Sequence, residues 1–245
     1  MTATAPLPRR ALAEALGTGL LVTVVVGSGI TAQRLSAHDV GLELLENSTA
    51  TALGLAVLIL VLAPVSGAHF NPVITLADHA LGRRTGSGAD LRTVAAYVPA
   101  QLAGGVLGAI LANEMFALPA AAVSAHARTG GHLWLGEAVA TAGLVLLVFA
   151  LGRTDRDRYA PAAVGAYIGA AYWFTSSTSF ANPAVTIARA FTDSFAGIAP
   201  GSVAGFVAAQ LVGALIGALL IEALFPPGPA PASEPAPART SVRTR

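Results

Sequence analysis

The chain has 245 residues, of which 54% are hydrophobic and only 11% charged, and its mean hydropathy is +0.67. Soluble domains carry about 25% charged residues, so this composition excludes a single water-soluble domain and also excludes disorder for the bulk of the chain. A formal net charge of +1 gives no basis for a nucleic-acid partner. The absence of cysteine excludes disulfides, thiolate chemistry and cysteine metal sites. At ~20 apolar residues per bilayer crossing, the length accommodates six or seven helices. The chain reads as an all-α, polytopic membrane protein.

The first apolar run covers 11–33. Arg9-Arg10 ahead of it resembles the start of a secretory signal. The run is longer than a signal's apolar region, however, and no small-residue cleavage site follows, so it reads as the first crossing. The second run, 48–65, is shorter than a full span and leads through a polar Gly/Ser/Asn/Pro segment into an apolar patch at 71–82. Full-length runs follow at 93–113 and 132–152. The short run 160–175 then repeats the earlier pattern, with its own patch at 182–191, before the last run at 200–225. The two patches are too short to span and read as re-entrant half-helices. Residues 1–225 thus form one domain, and Pro226–Arg245, rich in Pro, Ala, Ser and Arg, reads as a disordered tail.

All fourteen basic residues are arginine. Six crossings put both termini on one side, with Arg9, Arg10, Arg83, Arg84, Arg92, Arg153, Arg156, Arg158, Arg239, Arg243 and Arg245. The other side keeps Arg34, Arg128 and Arg189. Eleven against three is a positive-inside bias that makes both termini cytoplasmic, in a multi-pass protein of the cell's inner or plasma membrane.

The two halves of the chain, ~10–113 and ~132–225, resemble each other. Glu14-x-x-x-Thr18 matches Glu137-x-x-x-Thr141. Asn71-Pro72-Val73-Ile74-Thr75 matches Asn182-Pro183-Ala184-Val185-Thr186, and the segment around Gln101, Gly104 and Gly108 matches that around Gln210, Gly213 and Gly217. The offsets are 123, 111 and 109 residues (137−14, 182−71, 210−101), which small loop indels explain. Three crossings per copy is an odd number, so the second copy enters from the opposite side. Inverted repeats place their shared site near the midplane on discontinuous helices.

Asn is a strong N-cap and Pro suits the first helical position, so each Asn-Pro starts a half-helix of about ten residues. Inverted topology brings the two starts head to head. Each carries about half a positive charge, a field that orients water and repels cations and protons.

Ser66-Gly67-Ala68-His69-Phe70-Asn71-Pro72-Val73-Ile74-Thr75-Leu76-Ala77 and Ser179-Phe180-Ala181-Asn182-Pro183-Ala184-Val185-Thr186 resemble the paired signature loops of the aquaporin, or major intrinsic protein, family. The resemblance covers residues ~10 to 225. It implies six crossings plus two half-helices, one pore per subunit and a homotetramer in the lipid bilayer.

The sequence departs from the family's pattern at two places. The first signature reads Asn-Pro-Val, and three residues after the second Asn, where water- and glycerol-conducting members carry an arginine, stands Val185. By spacing, the resemblance assigns the other filter positions to Thr51, Ser179 and either Tyr172 or Ala170, with Tyr172 favoured because indels prefer loops. That filter is uncharged and, apart from the tyrosine, small. Arg189 lies two turns beyond Asn182, about 10 Å outward, which places it at the mouth, in a solvated or headgroup role.

His69 resembles the family's pore-lining histidine, read here as a neutral hydrogen-bonding group rather than a gate. Glu14 and Glu137 are acids inside apolar helices, and their symmetric placement suggests that each accepts backbone N–H bonds from its own half's loop. Gln101 and Gln210 invite the same structural reading. His126 and His132 lack the partner spacing of a metal site, and no cofactor is expected.

The resulting expectation is a passive channel for small neutral solutes, with metalloid hydroxides such as arsenite and glycerol-like polyols ranked above water selectivity. A water-only channel is the same-class alternative. An ion-coupled secondary transporter is the alternative of another class, and its only candidate ion site is the pair of glutamates. An enzyme has the least support, for want of a cysteine, a metal-ligand pair or a serine with a membrane-depth histidine.

Overall fold

A computed structural model describes residues 5–226, without the side chains of residues 84 and 85. All regular structure among them is helical: α1 (Leu7–Leu35), α2 (Val40–Ser66), α3 (Pro72–Thr85), α4 (Leu91–Met115), α5 (Gly131–Arg153), α6 (Ala160–Phe174), α7 (Pro183–Ala188) and α8 (Pro200–Leu224). Helices α1, α2, α4, α5 and α8 are long and apolar enough to cross a membrane. The sixth crossing, α6, has 15 residues, or ~22 Å. A 3₁₀ turn, Asp157–Tyr159, leads directly into it and adds about 6 Å. Helices α3 and α7 are the half-helices. The tail beyond Pro226 lies outside the described residues.

Most boundaries lie within four residues of the sequence expectation, but α2 begins at Val40 rather than near 48. Its first three turns carry Glu43, Glu46, Asn47 and Ser48, which hide a helix from any hydropathy reading. Asp39 caps that helix by accepting from Leu42 N at 3.0 Å. The polar residues point inward: Asn47 Nδ2 donates to Val25 O at 2.9 Å and to Ser28 Oγ at 2.8 Å, and Ser36 Oγ donates to Glu46 Oε1 at 2.9 Å. The second half-helix is also shorter than expected, six residues followed by a 3₁₀ turn, Arg189–Phe191.

The arrangement inverts the soluble pattern. The exposed surface presents apolar stripes at helical spacing, such as Leu12, Leu16 and Leu20 on α1, Leu53, Val57 and Val61 on α2, and Leu211, Leu215 and Leu219 on α8. The interior holds Glu14, Thr18, Gln101, Glu137, Thr141 and Gln210, all fully buried. A hydrocarbon solvent demands this distribution, because it offers no hydrogen bonds to polar groups.

The two halves repeat one packing scheme. Helix α1 packs on α4, α5 packs on α8, and α2 and α6 meet between the halves. Both long pairs close on small residues. A Cβ on Gly104 or Gly108 would lie 2.1 Å from the carbonyl oxygens of Ala15 or Gly19, and one on Gly213 or Gly217 would lie 2.4 or 2.6 Å from those of Ala138 or Ala142. These glycines therefore serve backbone-to-backbone contact within the chain.

Since the obstacle at Gly108 is backbone, Gly108→Ala should destabilise the protein by about 1–3 kcal/mol. The drop is read as a lower thermal unfolding midpoint in detergent. Gly201→Ala, whose Cβ meets nothing within 4 Å, should leave the midpoint unchanged or raise it slightly.

Candidate functional site

Both half-helices begin in the same way. Asn71 and Asn182 have extended backbones (φ −153° and −157°) and are followed by proline at the first helical position. Asn71 Oδ1 accepts from Val73 N at 3.0 Å, and Asn182 Oδ1 accepts from Ala184 N at 2.9 Å and Val185 N at 3.2 Å. Each side-chain amide then crosses to the other half: Asn71 Nδ2 donates to Ala181 O and Asn182 Nδ2 to Phe70 O, both at 2.8 Å. The half-helices are thus clamped head to head. One N–H of each amide is spent in the clamp. The other has no protein acceptor among the described residues, and both asparagines line the central cavity.

The loops leading into the caps share an unusual backbone. Ala68 and Phe70 (φ 52° and 50°) precede Asn71 by three and one residues, and Ser179 and Ala181 (φ 51° and 48°) precede Asn182 by the same spacings. Left-handed conformations cost non-glycine residues of order 1–3 kcal/mol each and persist only where surroundings impose them. The buried glutamates impose them here. Glu14 accepts from His69 N at 3.0 Å, Phe70 N at 2.7 Å, Ser66 Oγ at 2.6 Å and Gln101 Nε2 at 2.8 Å. Glu137 accepts from Phe180 N and Ala181 N, both at 2.8 Å, and from Gln210 Nε2 at 2.6 Å. Gln101 and Gln210 also reach Thr75 and Thr186, whose hydroxyls bond back to the carbonyls of Asn71 and Asn182.

A cavity of about 290 Å³ runs past this clamp. At the end that carries both described termini it touches His69, Asp78, Gly152 and Asp157, and towards the far end Thr51, Tyr172, Ser179, Val185 and Arg189. Its middle is walled by apolar side chains, including Leu21, Val25, Leu144 and Ile168. Pro72, Val73, Pro183 and Ala184 lie buried behind the asparagines, in the first turns of the half-helices.

Of the two sequence alternatives on α6, Tyr172 lines the cavity, while Ala170 is exposed on the outward face. The hydroxyls of Tyr172 and Thr51 lie 3.2 Å apart and are hydrogen-bonded. His69 Nδ1 pairs with Thr75 Oγ1 at 3.1 Å, and its Nε2 lies 4.0 Å from Asp78 Oδ2.

Arg189 is not in the solvated or headgroup position that its spacing suggests. It is 2% exposed and lines the cavity, with its guanidinium carbon 3.4 Å from the centre of the Phe180 ring and its Nε donating to Ala196 O. The expected distance locates its Cα and ignores the side chain. Helical side chains lean toward the N-terminus, so a long one at i+4 reaches back over the turn that carries Val185. The i, i+4 spacing of Val185 and Arg189 is the signal that could have found it.

Arg128 counts in the sequence only as a charge on a loop. In the fold it turns inward, donating to Gly197 O at 2.8 Å and Phe195 O at 3.0 Å, with its guanidinium carbon 5.3 Å from the same ring. Its burial lowers its pKa from the usual arginine value.

If the carboxylates hold the loops, Glu14→Gln should destabilise the protein by about 3 kcal/mol, because it removes a charged acceptor and turns an NH2 group on backbone N–H groups. Glu137→Gln should behave alike. Thermal unfolding in detergent measures both, and variants as stable as the parent would refute the supporting role.

The model of the family described as major intrinsic protein matches residues 1–181. The chain is similar to aquaglyceroporin AqpS of Rhizobium meliloti (strain 1021), 53% identical over 197 residues, covering 80% of this chain and 82% of the relative. It is also similar to the probable aquaporin AqpM of Archaeoglobus fulgidus, 29% identical over 224 residues, covering 80% and 87%. Among solved structures, the X-ray structure of the aquaglyceroporin from Plasmodium falciparum shares the fold, with a TM-score of 0.66 at 20% identity over 89% of this chain and 97% of that one. Six crossings, two half-helices clamped at their capping asparagines and these likenesses agree: this multi-pass membrane protein belongs to the major intrinsic protein family.

Proposed function

We propose that the chain is a passive membrane channel for small neutral solutes, conducting glycerol-like polyols and metalloid hydroxides such as arsenous acid as well as water. The observation that carries this reading is the continuous cavity that extends from His69 and Asp157, past both capping asparagines, to Tyr172 and Arg189. A solute passing the clamp meets two amide N–H donors, one from each half, with apolar walls opposite. The half-helix N-termini behind those donors favour oxygen atoms and oppose cations. The similarity to a protein named as an aquaglyceroporin supports a polyol-sized permeant.

In this reading Thr51, Tyr172, Ser179 and Val185 form the selectivity filter, His69 lines the opposite constriction, and Glu14 and Glu137 are structural. Their carboxylates are engaged by four and three hydrogen-bond donors, which favours a passive conduit over an ion-coupled transporter. A conduit also has no use for a catalytic group. We place the protein as a homotetramer in the cell's inner or plasma membrane, with both termini cytoplasmic, from the family resemblance and the arginine distribution.

Val185 carries the solute preference, because a short apolar side chain leaves open the space that a long cationic one would fill. Stopped-flow light scattering on proteoliposomes should show rapid re-swelling after glycerol and arsenous acid gradients. Val185→Arg should cut both solute fluxes about tenfold or more while water permeability persists. Fast water shrinkage with neither solute entering the parent would instead mean a water-selective channel.

A further inference from the structure

We propose that Arg189 is a specificity-determining residue of this pore. It supplies a fixed cation one helical turn beyond Val185, hydrogen-bonds neutral solutes rich in hydroxyl groups, and excludes cations and protons. The inference rests on the channel reading above and adds to that filter a charge that its four residues lack.

The argument begins with unspent donors. A guanidinium has five N–H groups, and Arg189 spends only the one on Nε, on Ala196 O. The remaining four have no protein acceptor among the described residues, and no carboxylate among them pairs with the charge. The acid in the adjoining loop support, Glu137, is taken up by Phe180 N, Ala181 N and Gln210. Arg128, in contrast, binds two backbone carbonyls through Nε and one terminal nitrogen. A buried guanidinium whose terminal groups lack partners carries a desolvation cost that a passing hydroxyl oxygen relieves.

The surroundings fit that ligand. Phe180 holds the guanidinium by close ring contact. Ser179 Oγ is buried without a hydrogen-bond partner, and the Thr51–Tyr172 hydroxyl pair lies on the same cavity. Val185 adds an apolar surface. A polyol has the matching faces, with oxygens for Arg189 and Ser179 and carbon-bound hydrogens for Val185. A monovalent cation meets the repulsion of the guanidinium, which no carboxylate among the described residues neutralises.

The test uses the full chain in proteoliposomes, comparing the parent with Arg189→Gln and Arg189→Lys. Glycerol re-swelling reports the conduit. Dye-monitored proton flux under an imposed potential, together with methylammonium uptake, reports cation exclusion. Per unit of glycerol flux, Arg189→Gln should leak protons and methylammonium about tenfold more than the parent. Arg189→Lys should stay cation-tight, because it keeps the charge, but should lose glycerol flux relative to water along with the planar donors.

An Arg189→Gln channel that conducts glycerol and remains as cation-tight as the parent overturns the proposal and leaves the channel reading standing. A parent that passes neither glycerol nor arsenous acid overturns the polyol and metalloid reading on which the proposal rests, and with fast water shrinkage leaves a water-selective channel. If Arg189→Gln yields no conducting protein, Arg189→Met takes its place, because it keeps an aliphatic stem against Phe180. A raised proton and methylammonium leak per unit of glycerol flux in that variant then supports the proposal, and an unchanged one overturns it.

Discussion

The pore depends on one kind of contact made twice, a buried carboxylate accepting the backbone N–H groups of a re-entrant loop. A carboxylate at membrane depth is expensive and needs several strong donors to persist there. Glu14 and Glu137 find them in backbone amides, in Gln101 and Gln210 and, for Glu14, in Ser66. The loop benefits in turn. Four alanine, phenylalanine and serine residues stand in left-handed conformations, at matching positions before each asparagine. No local propensity favours them. Charge-assisted bonds, about twice as strong as neutral ones, offset that strain. The strain in turn sets the angle at which each half-helix begins, and so places Asn71 and Asn182 against each other's loop carbonyls.

Packing serves the same arrangement. The loops can meet only if the helices bearing the glutamates and glutamines lie close together. Glu14 on α1 and Gln101 on α4 share a hydrogen bond because Gly104 and Gly108 let the two backbones touch. Glu137 and Gln210 are joined across α5 and α8 by the same device. Small residues on buried faces and leucine on lipid-facing ones are thus the two sides of one requirement, imposed by a solvent that rewards neither hydrogen bonding nor apolar burial.

Much of this is legible in the sequence because it is written in residue types with few uses. Asn-Pro twice, in inverted copies, identifies two caps. A glutamate inside each apolar helix identifies a partner that must be polar and near. What is less legible depends on direction in space. The start of α2 is hidden by Glu43, Glu46 and Asn47, which hydropathy counts as loop although Asn47 turns inward onto α1 and Glu46 is tied to Ser36. Spacing across an indel leaves Tyr172 and Ala170 both open, and the rotation of α6 about its axis separates them. Arg189 is misplaced when a residue is treated as a point on the helix axis. The side chain is longer than the rise of a turn, and its lean decides which level of the pore it serves.

That last feature gives this chain a physical logic of its own. At the filter level, the family's arginine both narrows the passage and charges it. In the proposed reading the two effects are divided between Val185 and Arg189, four residues apart on α7 and its 3₁₀ extension and both lining the cavity. In that reading Val185 leaves width, while the guanidinium, 3.4 Å from the centre of the Phe180 ring, supplies a positive field to the same cavity. Size and charge are then set independently, since steric exclusion acts within an ångström and a fixed charge in a poorly screened cavity acts over several. On that proposal the pore admits a solute as broad as a polyol while its field opposes small cations that the width alone would let through.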